Sequence, residues 1–198
     1  MSNIVYLSSS KLPTAFGDYV IHVYQDLRTH SEHVALVMGS VTEKNNVLTR
    51  VHSECLTGDI FSSQRCDCGE QLKLAQQIIS KERTGVIIYL RDHEGRGIGL
   101  GNKIRAYELQ DNGLDTVDAN LALGLPVDSR SFEIASDIIQ HLKINSINLL
   151  SNNPHKKSAL IKLGVSVKQL TSLAIESNII NRQYLQTKLH KLGHLLSN

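Results

Sequence analysis

The cysteines of this 198-residue chain are Cys55, Cys66 and Cys68, in the pattern C-x10-C-x-C. Three thiolates can hold Zn²⁺ and leave the fourth tetrahedral position to a water, whose pKa then falls toward ~7. The same spacing also allows three buried or redox cysteines, or a closed site completed by His52 or another histidine. A C-x-C pair is not the C-x-x-C of thioredoxin-like proteins. An odd count in so short a stretch is also a poor disulfide framework and suits a reducing compartment.

Further segments carry anion chemistry. Arg91 to Leu100 reads R-D-H-E-G-R-G-I-G-L, and Arg91, Arg96, Lys103 and Arg105 place four cations within fifteen residues. Glycines let backbone N–H groups approach a phosphate, and a following helix N-terminus adds positive potential. The alternative is a tight loop before a solvated basic helix face; G-K-[ST] is missing, so this is not a Walker loop. Leu123 to Arg130 reads L-G-L-P-V-D-S-R. Asp128 beside Arg130 suits a general acid/base next to a phosphate clamp, or a plain helix cap with an ion pair. Leu150 to Lys157, L-S-N-N-P-H-K-K, stands between an expected strand and an expected helix, where anion loops commonly sit.

The string R-V-H-S-E-C-L-T-G-D from Arg50, followed by R-C-D-C-G-E-Q-L from Arg65, resembles the zinc site of GTP cyclohydrolase II. H-E-G-R-G-I-G-L, K-I-R-A-Y and the C-terminal Y-L-x-T-K-x-x-K-x-G-H-L-L extend the resemblance from about Lys11 to Leu196. It implies zinc on Cys55, Cys66 and Cys68. It implies a nucleotide site built from Arg50, Val51, His52, Ser53, Glu54, Gln71, Glu94, Gly95, Arg96, Thr116, Ser151 and Lys156. Within that site Glu94 is the carboxylate expected to read guanine, and Arg50 and the other cations are expected to hold phosphates. Tyr107 is placed near the reacting ring, Asp128 as the acid/base and Arg130 as nucleophile at the α-phosphorus. A guanidinium keeps its proton up to about pKa 12, so electrostatic stabilisation is the role its chemistry favours. Where the family usually has T-N-N-P-K-K, this chain has Ser151 for Thr and His155 for the first Lys, leaving Lys156 and Lys157 as candidates. Residues Ala174 to Ile180 depart from the family's usual polar loop.

The reaction implied is two hydrolyses of GTP. Its α–β phosphoanhydride is cleaved with Mg²⁺ on the triphosphate. Zinc-activated water then opens the guanine imidazole ring and formate leaves, giving a diaminopyrimidinone ribosyl 5′-phosphate, the first step of riboflavin synthesis. The resemblance also implies a homodimer. Some relatives carry an N-terminal dihydroxybutanone phosphate synthase; the length here leads us to expect the stand-alone form.

These residues need a scaffold. Val20 to Val23, Val34 to Met38 and Val47 to His52 read as strands, and Val86 to Leu90 as a buried one. Leu72, Ala75, Ile78 and Ile79 repeat at helical spacing within Gly69 to Arg83. Helices are expected from about Lys103 to Gln110, Ser131 to Leu142, Lys156 to Leu163 and Arg182 to Leu192, with strands at Ile147 to Leu150 and Val165 to Leu170. The alternation points to α/β or mixed α+β, one domain over residues 1–198, with a mixed sheet flanked by helices.

Composition narrows the function. Hydrophobic residues make 41% and charged residues 20%, enough for a packed core. A net charge of +2 is too weak to indicate nucleic acid or a membrane surface as partner. No signal peptide or apolar run of membrane-spanning length is apparent, so a cytoplasmic protein is expected. An inactive zinc-bearing homologue is disfavoured by the intact Asp128, Arg130, Tyr107 and cysteines.

Overall fold

The structure is a computed structural model that describes residues 2–173 and, beyond them, residues 175, 178–181, 184, 186, 187, 189 and 193. One seven-stranded sheet organises it, in the order β1-β2-β3-β5-β4-β6-β7. The strands are β1 (Ile4–Thr14), β2 (Gly17–Asp26), β3 (Glu32–Met38), β4 (Val47–Ser53), β5 (Gly85–Leu90), β6 (Ile147–Leu150) and β7 (Val167–Thr171). From β1 to β5 the neighbours run antiparallel; β5, β4, β6 and β7 run parallel. The helices are α1 (Leu56–Asp59), α2 (Cys68–Glu82), α3 (Leu100–Asp111), α4 (Thr116–Ala122), α5 (Glu133–His141) and α6 (Pro154–Lys162).

Helices cover both faces. The apolar stripe of α2, with Ala75 and Ile79, packs with Ile87 and Leu150 on one face. Ile134, Ile138 and Leu160 of α5 and α6 pack with Val51, Val86, Ile88 and Leu90 on the other. The unbroken apolar run of β5 follows from this, because neighbouring residues of a strand covered on both sides are all buried.

The α/β expectation holds, with shifted boundaries. Helix α6 begins at Pro154, ahead of the expected Lys156, because Asn153 Oδ1 accepts from the N–H groups of His155 and Lys156 and proline suits a first turn. Strand β1, with its S-S-S-K stretch, and the short α1 and α4 were not foreseen. Eight of the eleven residues of β1 are exposed and none is buried, so no alternating apolar pattern marks it. The helix expected from Arg182 to Leu192 falls largely outside the described residues, as do residues 174, 176 and 177 of the stretch Ala174 to Ile180.

Candidate active site

The parallel strands β5, β4 and β6 end together, and one cleft opens at their carboxyl ends, where ligands of open α/β sheets bind. Ser53 closes β4, His93 follows β5 and Ser151 follows β6, and all three line it.

The cysteines meet at one end of the cleft. Their sulfur atoms all lie within 4.8 Å of one another, with Cys55 Sγ 3.7 Å from Cys66 Sγ. All three are free of disulfides. Burial accompanies this clustering, and the thiols influence one another. Hydrogen bonds from Cys66 and Cys68, with the nearby Lys103 ammonium, lower the pKa of Cys55. The hydrogen bond to Cys55, with burial, pushes Cys66 up to about 11, and Cys68 is also raised. Of the three, Cys55 gives up its proton most readily.

Local backbone geometry sets this cluster. Cys55 stands at the start of α1, whose leading N–H groups find carboxylates. Cys55 N–H donates to Asp59 Oδ2 at 3.0 Å and Leu56 N–H to Glu94 Oε2 at 2.6 Å. Gly58 presses its backbone on the sulfurs: a Cβ there would lie 2.9 Å from Cys66 Sγ and 3.3 Å from Cys55 Sγ. Gly69, after the last cysteine, meets Gly58 just as closely, since its Cβ would stand 2.2 Å from the Gly58 carbonyl oxygen. Both glycines are therefore needed for α1 and α2 to bring the thiols together.

This donor set fits a zinc ion. It offers three soft, clustered sulfurs. His52 does not complete it: His52 Nε2 donates to Asp59 at 3.0 Å, and its Nδ1 faces Arg50 Nη2 at 3.5 Å. Burial lowers the His52 pKa despite the bond to Asp59. Among the described residues, the three cysteines alone form a metal-capable group of three or more such side chains.

The cations divide by role. Arg96 lines the cleft, and its Nη1 and Nη2 are shielded from solvent without a protein hydrogen-bond partner. Arg130 grips Asp128 in a fork, Nε to Oδ1 at 2.9 Å and Nη2 to Oδ2 at 2.5 Å, and extends Nη1 to Ser53 Oγ at 3.3 Å. Burial alone would raise the Asp128 pKa, but the Arg130 hydrogen bonds and charge hold it below the usual value. Asp128 does not cap α5, which begins after Phe132 without a side-chain cap. Lys156 is buried in the cleft, its Nζ donating to the Val51 carbonyl at 2.6 Å, whereas Lys157 is absent from the lining. Of the two lysines that follow His155, Lys156 is therefore the one that lines the cleft.

Some expected phosphate ligands are otherwise engaged. Arg50 is 5% exposed and donates to the Leu150 carbonyl at 2.9 Å and to Gln71 Oε1 at 2.7 Å, with burial lowering its pKa to about 10. It ties β4 to β6 and α2 at the cleft floor. Arg91 and Arg105 are exposed and outside the lining. Glu94 lines the cleft with both carboxylate oxygens engaged, one by Leu56 N–H and one by Lys103. Its carboxylate is directed at α1 and α3. Val51 contributes its carbonyl; its side chain is in the core.

His52, Ser53, Glu54, Gln71, Gly95, Tyr107, Thr116 and Ser151 all line the cleft; Asp128 joins through Arg130. Tyr107 lies under the Arg65 guanidinium, 4.8 Å from the ring centre, and burial raises its pKa. Asp115 caps α4 and so sets Thr116 at the cleft.

Two contributors went unread. Asp59 accepts from Cys55 N–H, His52 Nε2 and Tyr89 Oη. His93 Nδ1 shares a hydrogen bond with Ser53 Oγ at 3.1 Å, and burial with the nearby Arg130 and Lys156 pushes its pKa down to about 3. The G-D following the first cysteine and the histidine in R-D-H-E-G-R were the available signals.

The GTP cyclohydrolase II family model matches residues 6–172. The chain belongs to the GTP cyclohydrolase II family. It is 52% identical over 192 residues to a GTP cyclohydrolase-2 of Neisseria meningitidis, covering 97% of this chain and 96% of that protein. A GTP cyclohydrolase-2 of Acinetobacter baylyi is 51% identical over 193 residues, again covering 97% and 96%. The riboflavin biosynthesis protein RibBA of Chlamydia trachomatis is 49% identical over 195 residues, 98% of this chain and 46% of the longer relative. Among the described residues no helix is long and apolar enough to cross a membrane.

Proposed function

We propose that the chain is a GTP cyclohydrolase II that binds GTP with Mg²⁺ in the β4–β5–β6 cleft, holds zinc on Cys55, Cys66 and Cys68, and releases pyrophosphate and formate toward riboflavin. The observation that carries this reading is that the thiol cluster lines one cleft with Arg96, whose Nη1 and Nη2 make no protein hydrogen bond. Zinc, when bound, supplies a Lewis acid and a water acidified toward ~7.

The chain's own residues do the rest. Arg96, Arg130 and Lys156 hold the phosphates, and Arg130, fixed by Asp128, offsets charge that develops at the α-phosphorus. Asp128 stays ionised under the Arg130 fork and serves as proton acceptor. Tyr107 stays protonated because burial raises its pKa, so its hydroxyl is a proton donor beside the thiols. Thr116, Gln71 and Ser151 offer neutral hydrogen bonds around the nucleotide. A cytoplasmic homodimer belongs to the same reading, and the free thiols suit a reducing compartment.

The test is incubation of purified protein with GTP and Mg²⁺, with and without a zinc chelator, following pyrophosphate and formate separately. Free formate distinguishes this enzyme from one that stops at the formylated intermediate. Cys66→Ser is expected to abolish formate release while pyrophosphate release continues. Formate production that survives loss of that thiolate overturns the metal role.

A further inference from the structure

Lys103 sits in the first turn of α3, 7% exposed, and its ammonium points to the thiols. Nζ lies 3.2 Å from Cys55 Sγ, 2.8 Å from Thr57 Oγ1 and 2.6 Å from Glu94 Oε1. An ammonium has three donors, and these acceptors use all of them. In this arrangement no Lys103 donor is left over for a phosphate, although the residue stands among the cations of the glycine-rich segment.

The contact is built in by the backbone. Gly95, in the 3₁₀ turn Glu94–Arg96, has φ +58, and a Cβ there would lie 3.2 Å from Lys103 Cβ. The turn thus closes directly on the lysine and delivers Glu94 to its ammonium. The ammonium is ion-paired with the Glu94 carboxylate at 2.6 Å.

Resting on the reading of the three thiols as a metal site, we propose that Lys103 is a positioning residue for that site, its ammonium serving as the counter-charge of the Cys55 thiolate and Glu94 setting how much of that charge the sulfur receives. Three thiolates on a divalent ion leave one net negative charge in a buried place, and such a charge needs a partner. Arg50 faces the cluster from the Cys68 side, but its hydrogen bonds go to Leu150 and Gln71. Lys103 touches sulfur itself. A hydrogen bond to a thiolate lowers the energy of its lone pairs and makes the bound metal more electrophilic, while the ammonium charge stabilises the buried anionic cluster as a whole and so favours metal binding. Outer partners of this kind commonly change metal affinity by about 10–100-fold.

Co²⁺ substitution of the purified full chain reads this directly through the thiolate-to-cobalt charge-transfer band. Lys103→Met is expected to move the band to lower energy and to weaken Co²⁺ binding by about 10–100-fold, with Lys103→Arg returning both toward the wild-type values. Glu94→Gln is expected to move the band the other way, to higher energy, because the ammonium charge then falls more fully on sulfur. Unchanged spectra, or shifts of the same sign in the Met and Gln variants, overturn the proposal. If Lys103→Met does not fold, Glu94→Gln decides alone: a shift to higher energy supports the proposal, and no shift or a shift to lower energy sinks it. A wild-type protein with no thiolate band at all would instead remove the metal reading beneath it.

Discussion

Cys55 and Asp59 bond to each other in both directions. The Asp59 carboxylate accepts from Cys55 N–H at 3.0 Å, and Asp59 N–H donates to the Cys55 carbonyl at 2.7 Å. The same carboxylate takes His52 Nε2 and Tyr89 Oη, so one buried acid joins β4, β5 and α1 beneath a thiol. Asp59→Asn leaves one oxygen where two served three donors, and puts an NH₂ against at least one of them. Urea unfolding should show a loss of about 2 kcal/mol, and metal content should fall with it. Unaltered stability and metal content would show that Asp59 has no such role.

Gly58→Ala tests the closeness of the thiols to α1. The added methyl group would lie 2.9 Å from Cys66 Sγ, and the opposing Gly69 backbone leaves α1 no room to withdraw. Overpacking of about 1–3 kcal/mol is expected, with metal stoichiometry far below that of the wild type. A fully loaded, stable alanine variant would contradict the packing described.

Arg130→Lys keeps the charge and removes the fork. Lysine cannot hold both Asp128 oxygens and Ser53 together. Pyrophosphate release should fall about 10³-fold. The carboxyl pKa of Asp128, followed by NMR, should rise toward its ordinary value. The sign is that of a depressed carboxylate: its stabilisation is present above the unfolded value of about 3.9 and is lost as pH falls through the lower folded value. Because Asp128 is partly exposed, the kinetic change should exceed any change in stability.

His93 carries acid sensitivity of the same sign over a higher pH window. Its pKa is pushed down from 6.5 to about 3. As pH falls through 6.5 the unfolded chain takes up a proton that folded His93 refuses until about 3, so stability is complete above that window and declines within it. His52, His33 and His22 are also lowered, chiefly by burial, and act with the same sign. Urea midpoints measured across the window should therefore fall in the wild type. In His93→Gln the decline should be shallower by up to about one proton. Equal slopes would show that His93 is not the buried neutral base described.

Much of the chemistry was legible in the residue order. C-x10-C-x-C allows a thiolate site, among the other readings of that spacing, because ligand identity and number are properties of the side chains themselves. The run Val86 to Leu90 declared a strand covered on both faces, and the period of Leu72, Ala75 and Ile79 a helix with one apolar stripe. Strand β1 stayed hidden because an exposed edge strand needs no alternating pattern, and α4 because its seven residues are too short for a period to show.

What the order of residues could not settle was which polar groups consume one another. Arg50, Arg96 and Lys103 are alike on paper as cations near glycines and cysteines. The fold assigns Arg50 to the carbonyl of Leu150 and Lys103 to sulfur, and leaves Arg96 Nη1 and Nη2 without a protein hydrogen bond. Those assignments join strands and turns up to 100 positions apart. They follow from parallel strands ending side by side, because hydrogen bonds are short and directional and only the assembled sheet brings their donors and acceptors within reach. Residue types thus determined which chemistry was available here; tertiary packing decided which group performs it.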